Sequence, residues 1–324
     1  VAGREGKIWG QLIPYGKANL GFGASTADNP SPWRAGANEN TVLQTSHDML
    51  VKGELLPAGR YGLFIEPMES GDWKVIFSSE ADAWGSFFYE PGDEVLVVSS
   101  TPEDLNESIE YLTYDFVNRK NDQTTLQMKW EMKMLPINLV LKDANKVTLA
   151  ALTSELKDAP GFTYVNWVGA ANWASNAGFH EEALLWAENA ISLPFIGQKN
   201  FNTLSTKATV LRNAGKEKES LAVMDEAIKL PGAPAFQVHA YGRQLIAAGE
   251  KGKALEVFLL NHKNNDGVWP TNYGLARGYS ATGDYKKAIK YLEIALTKVP
   301  ANDTVNPPVM QANIEKLKKG EDIN

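Results

Sequence analysis

Apolar residues in the second half of the chain recur at helical spacing, in pairs of segments separated by a glycine. The four turn glycines are Gly178, Gly215, Gly249 and Gly283, at intervals of 37, 34 and 34 residues. Glycine adopts a positive φ at the least cost, and the end of a helix often requires one. The pattern therefore predicts four helix–turn–helix units of nearly constant length.

Small residues recur at fixed distances after each turn glycine. Five residues on stand Ala183, Ser220, Ala254 and Ala288, and seven further on stand Ala190, Ala227, Asn261 and Ala295. Side chains at this spacing lie on one helical face, and small ones let a partner helix approach closely. Proline cannot continue a helix, and three of the four second helices are followed by one: Pro194, Pro231 and Pro300.

Over residues 162–300 these positions resemble the tetratricopeptide repeat (TPR) family. In the last unit the matching residues are Ala276, Tyr279, Gly283, Ala288, Leu292, Ala295 and Pro300. The first unit matches at Trp167, Ala171, Ala183 and Ala190, whereas Ser220 and Asn261 replace alanine in the second and third units. The resemblance implies a solenoid of stacked helix pairs, with residues 309–319 as a capping helix. The alternative is an ordinary helical bundle.

The first half has strand patterns instead. Segments 73–77, 94–98 and 125–130 are β-branched or aromatic, and residues 110–116 alternate between apolar and polar. Turn residues separate them at 57–60, 70–72, 91–93 and 118–122. This spacing predicts an antiparallel β-sandwich or jelly-roll-like domain. Residues 18–32 have no period and predict an exposed insertion loop.

A helical segment joins the two halves. Leu149, Leu152 and Leu156 have helical spacing, and the sequence DAPG at 158–161 ends the segment. We therefore predict an α+β chain of two domains. A β domain covers residues 1–144, a connecting helix covers 145–161, and four TPR-like repeats with a capping helix cover 162–324.

The β domain carries motifs in the order found in a family of unknown function, DUF2911. They are KIWG (7–10), LIPYG (12–16), WRAGANENT (33–41), LPAGRYGLF (56–64), WKVIF (73–77), WG (84–85) and WE (130–131). The resemblance covers about residues 6–141. The 18–32 insertion separates two motifs that are nearly contiguous in other members, and the strand-like segment that usually precedes Gly6 does not occur in this sequence. The resemblance implies an extracytoplasmic (periplasmic or envelope-associated) protein of Bacteroidetes-type bacteria, and no particular reaction.

Charge and composition narrow the classes of function. The net charge is −7, with 14 basic and 23 acidic residues in 1–160 and 18 and 16 in 161–324. An acidic chain without a basic stripe argues against nucleic-acid binding, and no apolar stretch of about 18 residues predicts a transmembrane segment. The chain has no cysteines, which excludes disulfides and thiol catalysis. No signal peptide is recognisable and Val1 is not an initiator, so we expect a mature or trimmed form.

Polar residues of the β domain are densest in 33–41, and we consider a ligand-binding site there. Its candidate residues are Trp33, Arg34, Asn38, Glu39, Thr41, His47 and Trp84. Arg34 and Glu39 suit a charge-assisted pair. The alternative is a buried hydrogen-bond cluster that holds a loop in place, because Gly36 and Asn38 are also what a turn needs.

Motifs for other chemistry are weak. The histidines His47, His180, His239 and His262 are scattered, so we expect no metal site. No phosphate loop and no nucleophile with a neighbouring base is recognisable, so we expect no catalytic residue and no cofactor.

In the TPR family the first helix of each unit lines the concave groove, and the resemblance implies which residues face it. They are Asn172, Asn176, Thr209, Arg212, Asn213, His239, Arg243, Tyr273 and Arg277. The three arginines in this set are the only ones after residue 161, and a guanidinium suits carboxylates. We expect the groove to bind a protein or an acidic peptide. The alternative is that these arginines pair within the chain.

The function that we expect is a non-enzymatic binding and interaction protein of the bacterial cell envelope. The alternative is an enzyme, or a module that binds a glycan or small ligand, with its site on the β domain near Arg34 and Glu39. A deep pocket holding Arg34, Glu39 and His47 would favour the alternative, and a fully paired, buried Arg34 would favour the interaction protein.

Overall fold

The computed structural model describes residues 3–324, and Val1 and Ala2 lie outside the described residues. The chain divides into two compact units, Val1–Thr148 and Leu149–Asn324. We call them the β unit and the helical unit.

Eight strands form two four-stranded antiparallel sheets in the described part of the β unit, as the strand pattern predicts. Their bounds are β1 (Thr41–Thr45), β2 (Met49–Val51), β3 (Glu54–Leu56), β4 (Gly59–Glu66), β5 (Trp73–Ser78), β6 (Glu94–Ser100), β7 (Glu103–Val117) and β8 (Gln123–Leu141). The sheet orders are β1-β4-β5-β6 and β3-β2-β8-β7. One apolar core contains side chains from both sheets, among them Ile65, Trp73 and Phe77 from the first and Met128 and Leu135 from the second. Full burial stabilises each of them by about 1.5–3 kcal/mol relative to exposure.

Strand β7 is much longer than the alternating segment 110–116 that predicts it. It begins at Glu103 and Asp104, seven residues before that segment. The reason is that β7 lies at the edge of its sheet and most of its side chains are exposed. An exposed edge strand has no need of alternating apolar residues, so its ends carry no pattern.

The helical unit consists of paired helices in the TPR-like solenoid that the repeats predict. Helix α1 (Ala144–Glu155) begins in the β unit and ends in the helical unit. The other helices are α2 (Tyr164–Asn176), α3 (His180–Ser192), α4 (Phe201–Asn213), α5 (Glu217–Ala227), α6 (Ala235–Ala247), α7 (Lys251–Asn264), α8 (Trp269–Ala281), α9 (Tyr285–Lys298) and α10 (Asn306–Lys318). Helices α2–α3, α4–α5, α6–α7 and α8–α9 pack as pairs, and α10 packs on α9.

The repeat positions have the roles that their residue types predict. All four turn glycines have a φ between +76° and +87°. The alanines at the small positions are fully buried, and the two departures are polar residues with a partner. Ser220 donates a hydrogen bond to the carbonyl of Ala208 (2.7 Å), and Asn261 donates one to the carbonyl of Ala235 (2.9 Å). These bonds offset the cost of burying a polar group between helices.

A slot lined by three helical glycines holds the ring of Phe258, which is fully buried on α7. A Cβ added at Gly242 of α6, or at Gly274 or Gly278 of α8, would lie less than 3.0 Å from atoms of this ring. Glycine is therefore required there for close approach rather than for backbone freedom. The repeat pattern alone does not predict this contact.

Candidate functional site

Helices α6 and α8 pack directly against each other and bring four of the predicted groove residues together. They are His239 and Arg243 of α6 and Tyr273 and Arg277 of α8, which we call the α6–α8 face. Arg243 and Arg277 are close enough to act on each other electrostatically, and both act on His239. The face therefore has two positive charges beside a neutral aromatic surface.

Arg277 is held firmly on this face. Its guanidinium lies 4.6 Å from the centre of the Tyr273 ring, and its Nη2 donates to the Tyr273 hydroxyl (3.0 Å). The same hydroxyl accepts a hydrogen bond from Asn313 of α10 (2.8 Å). Burial, together with the positive charge of Arg243, lowers the pKa of Arg277, although a guanidinium stays charged in proteins.

Residues 322–324 of the chain lie against α8 at Arg277 of the α6–α8 face, and we call them the 322–324 segment. Arg277 donates through Nη1 to the carbonyl of Ile323 (3.2 Å), and the Ile323 amide donates to the hydroxyl of Ser280 (3.1 Å). The Ile323 side chain is 7% exposed and packs in the same apolar cluster as Tyr273. The segment is thus bound through its backbone and through one apolar side chain.

Asp322 adds a charged contact. Its Oδ1 accepts hydrogen bonds from Ser280 (2.6 Å) and from the Asn324 side chain (2.7 Å). Burial works toward a higher pKa, but these hydrogen bonds outweigh it, so the pKa of Asp322 is lowered and the carboxylate is ionised at neutral pH.

The sequence leaves open that Arg212, Arg243 and Arg277 pair within the chain. Among the described residues, only Arg277 does so. Its partners are the 322–324 segment and Tyr273, not a glutamate of a neighbouring helix. Arg212 and Arg243 are exposed and form no ion pair with any residue that the structure describes. Arg243 therefore offers a free positive charge near Arg277.

The remaining predicted groove residues lie on α2 and α4, outside this face. Asn172 is partly exposed and Asn176 exposed on α2, and Asn213 donates to Ser175 across the two helices (3.0 Å). Thr209 and Arg212 line a separate cavity of about 160 Å³ among α4, α5 and α6. The predicted set is therefore divided between two places.

His239 makes the stability of the helical unit depend on pH. Its Nδ1 lies 2.8 Å from the carbonyl of Pro270, and burial lowers its pKa from 6.5 to about 4, with the charges of Arg277 and Arg243 acting in the same direction. Between these two values the unfolded chain binds more protons than the folded one. We therefore expect the free energy of unfolding to fall by up to about 3 kcal/mol as the pH drops from 6.5 to 4.

Urea unfolding at several pH values, followed by circular dichroism at 222 nm, measures this dependence. His239→Phe keeps an aromatic ring on the face but has no group that titrates. Its lost hydrogen bond lowers stability equally at every pH, so only the slope is compared. We expect a shallower slope than in the unchanged chain, and an unchanged slope would contradict the assignment.

A second candidate site is a cavity of about 480 Å³ in the β unit, which we call the Arg34 cavity. Its lining residues come from the start of the chain, the insertion, the segment 31–37 and strands β7 and β8. They are Arg4, Leu12, Ile13, Pro14, Gly16, Ala18, Leu20, Ser31, Pro32, Trp33, Arg34, Gly36, Ala37, Ser86, Leu112 and Trp130.

Two of the seven residues predicted for this site, Trp33 and Arg34, line the cavity. Asn38 and Glu39 are exposed and do not line it, and the expected pair between Arg34 and Glu39 does not form. The reason is the backbone of the segment, which has a positive φ at Ala35 (54°) and at Asn38 (64°) and directs the two side chains apart.

The other three predicted residues lie outside the cavity. Thr41 instead donates to the carbonyl of Ala35 (3.0 Å) and so holds the loop. His47 lines a different, shallow pocket with Arg119 and Asp122, and Trp84 is 52% exposed. The Arg34 cavity therefore contains Arg34 without Glu39 or His47, so it is not the pocket that would favour an enzyme or a ligand-binding module. Arg34 is not fully paired either, which is the arrangement that would favour the interaction protein.

Arg34 is positioned by its neighbours in the chain. Trp33 exchanges backbone hydrogen bonds with Ile65 of β4 (2.9 and 2.8 Å). The carbonyl of Ala35 accepts from the Tyr114 hydroxyl (2.6 Å) as well as from Thr41. On the opposite side, a Cβ added at Gly85 would lie 2.5 Å from Cδ of Arg34. The glycine thus leaves the space that the arginine side chain needs.

Four tryptophans form a cluster behind the cavity. Trp9 contacts Trp73, Trp33 and Trp130 with ring centres 4.7, 5.7 and 6.0 Å apart. The register of β7 and β8 shifts near Glu131, which has a φ of 52° and accepts a hydrogen bond from the amide of Gly6. Such irregularities re-aim side chains, and here Trp130 becomes part of the cavity wall. Aromatic residues in strands usually face inward, and Trp130 also packs against the apolar core of the β unit.

Two further properties concern the described residues 3–324. None of their helices has the length and apolar character to span a membrane. No three of their histidine, aspartate or glutamate side chains come together as a metal would require.

Comparisons with known proteins fall on the two halves of the chain separately. Residues 1–139 match the model of a family described as Protein of unknown function (DUF2911). Among solved structures, the chain is similar to YrrB, "a TPR protein with an unusual peptide-binding site", at 21% identity over 53% of this chain and 83% of that chain, with a TM-score of 0.37. The chain is also similar to the MamA protein, at 17% identity over 46% of this chain and 80% of that chain, with a TM-score of 0.37. A tetratricopeptide repeat protein from Parabacteroides merdae is similar at 15% identity over 53% of this chain and 65% of that chain, with a TM-score of 0.40.

A search of curated proteins found no match to the chain. Residues 1–139 thus resemble DUF2911 proteins, and the helical unit that follows them has a TPR-like fold.

Proposed function

We propose that the protein is a non-enzymatic interaction protein whose α6–α8 face binds an acidic peptide segment of a partner protein. The observation that supports this most is the 322–324 segment, which contains an acidic residue and contacts Arg277 of this face. Arg277 and Ser280 bind its backbone, Ser280 also binds its carboxylate, and Ile323 fills an apolar site. A partner segment with an acidic residue followed by an apolar residue would find the same groups.

Arg243 supplies the charge that a partner would use in addition. It is exposed, and it is near enough to Arg277 to lower the pKa of that side chain. Charges at the rim of an interface act on the association rate and on the choice of partner more than on affinity. We therefore expect binding to weaken as the salt concentration rises.

A fluorescence anisotropy experiment tests the proposal. The probes are a labelled peptide containing Glu-Asp-Ile-Asn and a matched peptide containing Gln-Asn-Ile-Asn. The protein used in this assay is a variant truncated after Gly320, so that its own 322–324 segment does not compete. We expect the acidic peptide to bind about 10-fold more tightly, which corresponds to about 1.4 kcal/mol.

Variants show whether this preference depends on the α6–α8 face. We expect Arg243→Ala/Arg277→Ala to abolish it and Arg212→Ala, which removes an arginine outside the face, to leave it intact. Circular dichroism at 222 nm checks that each variant is folded. Equal affinity for the two peptides, or a preference that persists in the folded double variant, would contradict the proposal.

The cell envelope is the place that we propose for this interaction. The support is the resemblance of residues 1–139 to DUF2911 proteins, which implies an extracytoplasmic setting. Fractionation of cells that produce the natural protein, with immunodetection in each fraction, tests it. Recovery with the periplasm or the membranes is expected, and recovery with the cytoplasmic marker would contradict it.

A further inference from the structure

Unpartnered polar atoms are concentrated around the Arg34 cavity. Among the described residues, seven buried side-chain nitrogen or oxygen atoms have no hydrogen-bond partner, and three of them belong to residues lining this cavity: Ser31 Oγ, Arg34 Nε and Trp130 Nε1. A fourth, Trp9 Nε1, lies in the tryptophan cluster behind it. An unpaired buried polar atom costs about 1–3 kcal/mol, so the residues around this cavity carry polar groups that the fold itself leaves without partners.

The chemistry of these atoms selects the ligand. The Nε of Arg34 and the indole Nε1 of Trp130 can only donate hydrogen bonds, whereas the Ser31 hydroxyl can donate or accept. Ser31 is 3% exposed, so its hydroxyl is not simply solvated. A ligand that pairs with the Arg34 guanidinium must therefore present acceptor atoms.

The charges around the cavity also favour an anionic ligand. Arg34 is partly buried and forms no ion pair with a described residue, and no aspartate or glutamate lines the cavity. Arg4 adds a second positive charge from the exposed start of the chain. A guanidinium that is held in place without a counter-ion favours a planar anion, because its N–H groups match a carboxylate.

The remaining lining residues are largely apolar. They include Leu12, Ile13, Leu20, Leu112 and the rings of Trp33 and Trp130. At about 480 Å³ the cavity lies within the size range of small-molecule sites, which combine apolar walls with a few polar groups that orient the ligand.

We propose that the Arg34 cavity binds a small monocarboxylate with an apolar aliphatic or aromatic body. The carboxylate lies at Arg34, and the apolar body lies against Leu12, Leu20 and the two indole rings. The proposal is independent of peptide binding by the helical unit, since it concerns the β unit alone.

Titration of the full chain with hexanoate and with 3-phenylpropionate tests the proposal, with hexanamide as the neutral counterpart of hexanoate. Binding is followed by tryptophan fluorescence, since Trp33 and Trp130 form part of the wall, and by isothermal titration calorimetry. We expect saturable binding of at least one carboxylate, with hexanamide at least about 10-fold weaker than hexanoate if hexanoate binds. The comparison between acid and amide needs no variant and so does not depend on folding.

Two variants place the anion at Arg34. Arg34→Met retains the length of the side chain without its charge and should weaken binding at least about 10-fold, whereas Arg34→Lys should retain part of the affinity. Arg119→Met, which removes a surface guanidinium at a different pocket of the β unit, is the matched control and should bind as the unchanged chain does. Urea unfolding verifies that each variant is folded.

Three results would overturn the proposal. They are no saturable binding of either carboxylate, equal binding of hexanoate and hexanamide, or undiminished binding by the folded Arg34→Met variant. Saturable binding of a neutral sugar in preference to both carboxylates would also overturn it and would assign the indole rings to a glycan.

Discussion

Phe258→Ala is expected to lower the free energy of unfolding of the helical unit by about 3–5 kcal/mol. The ring is fully buried between α6 and α8, and glycines 242, 274 and 278 face it. Because those glycines have no side chains that could move into the space, the cavity left by the ring cannot be refilled locally. The cost of a large-to-small change rises with the volume of the cavity that remains.

Urea unfolding followed by circular dichroism at 222 nm measures this loss, since the helices are in the helical unit. Phe195→Ala is the matched control, because Phe195 belongs to the same unit and its side chain is fully exposed. The control should change the free energy of unfolding by less than about 0.5 kcal/mol. A similar, small loss for both variants would show that the ring is not a principal contact between α6 and α8.

Gly85→Ala is expected to lower the free energy of unfolding of the β unit by about 2–5 kcal/mol. Gly85 has a φ of 63°, which costs an alanine about 1–2 kcal/mol. The new Cβ would also lie 2.5 Å from Cδ of Arg34 and 2.9 Å from the carbonyl oxygen of Asn38, and overpacking adds about 1–3 kcal/mol. Relief of the clash would displace Arg34, so binding of a carboxylate in the Arg34 cavity should weaken as well.

Gly71→Ala separates the two contributions. Gly71 also has a positive φ (81°), but a Cβ there meets no atom within 4 Å. We expect Gly71→Ala to lower the free energy of unfolding only by the cost of the positive φ, about 1–2 kcal/mol. The Arg34 cavity should stay unchanged. Urea unfolding followed by tryptophan fluorescence compares the two, and an equal loss for both variants would mean that Arg34 does not pack against Gly85.

Local chemistry at the repeats made the helical unit predictable from the sequence. A positive φ at the four turn glycines and burial of the small residues are properties of the nearest helices, and so the residue types reveal them directly. The same holds for the inner strands β4 and β5, whose runs of aromatic and aliphatic residues are buried. It does not hold for β7, because an exposed edge strand needs no apolar pattern.

The features of the structure that the sequence does not reveal depend on contacts between residues that are distant in the chain. The slot for Phe258 requires glycines from two other helices, and the 322–324 segment has no periodicity that could indicate where it lies. In the β unit, residues 33–41 indicated a polar site. The separation of Arg34 from Glu39 depends on the positive φ of Ala35 and Asn38, neither of which is a glycine. The place of His47 depends on where β1 ends in the sheet.

The most direct test of peptide binding by the α6–α8 face is to map it by amide chemical shifts. The full ¹⁵N-labelled chain is titrated with the peptide containing Glu-Asp-Ile-Asn, at one pH and one salt concentration. We expect the amides of α6, α8 and residues 322–324 to shift together and to saturate at the same peptide concentration, because the peptide displaces the segment. Shifts confined to other helices, or residues 322–324 that stay unchanged while the peptide binds, would contradict it.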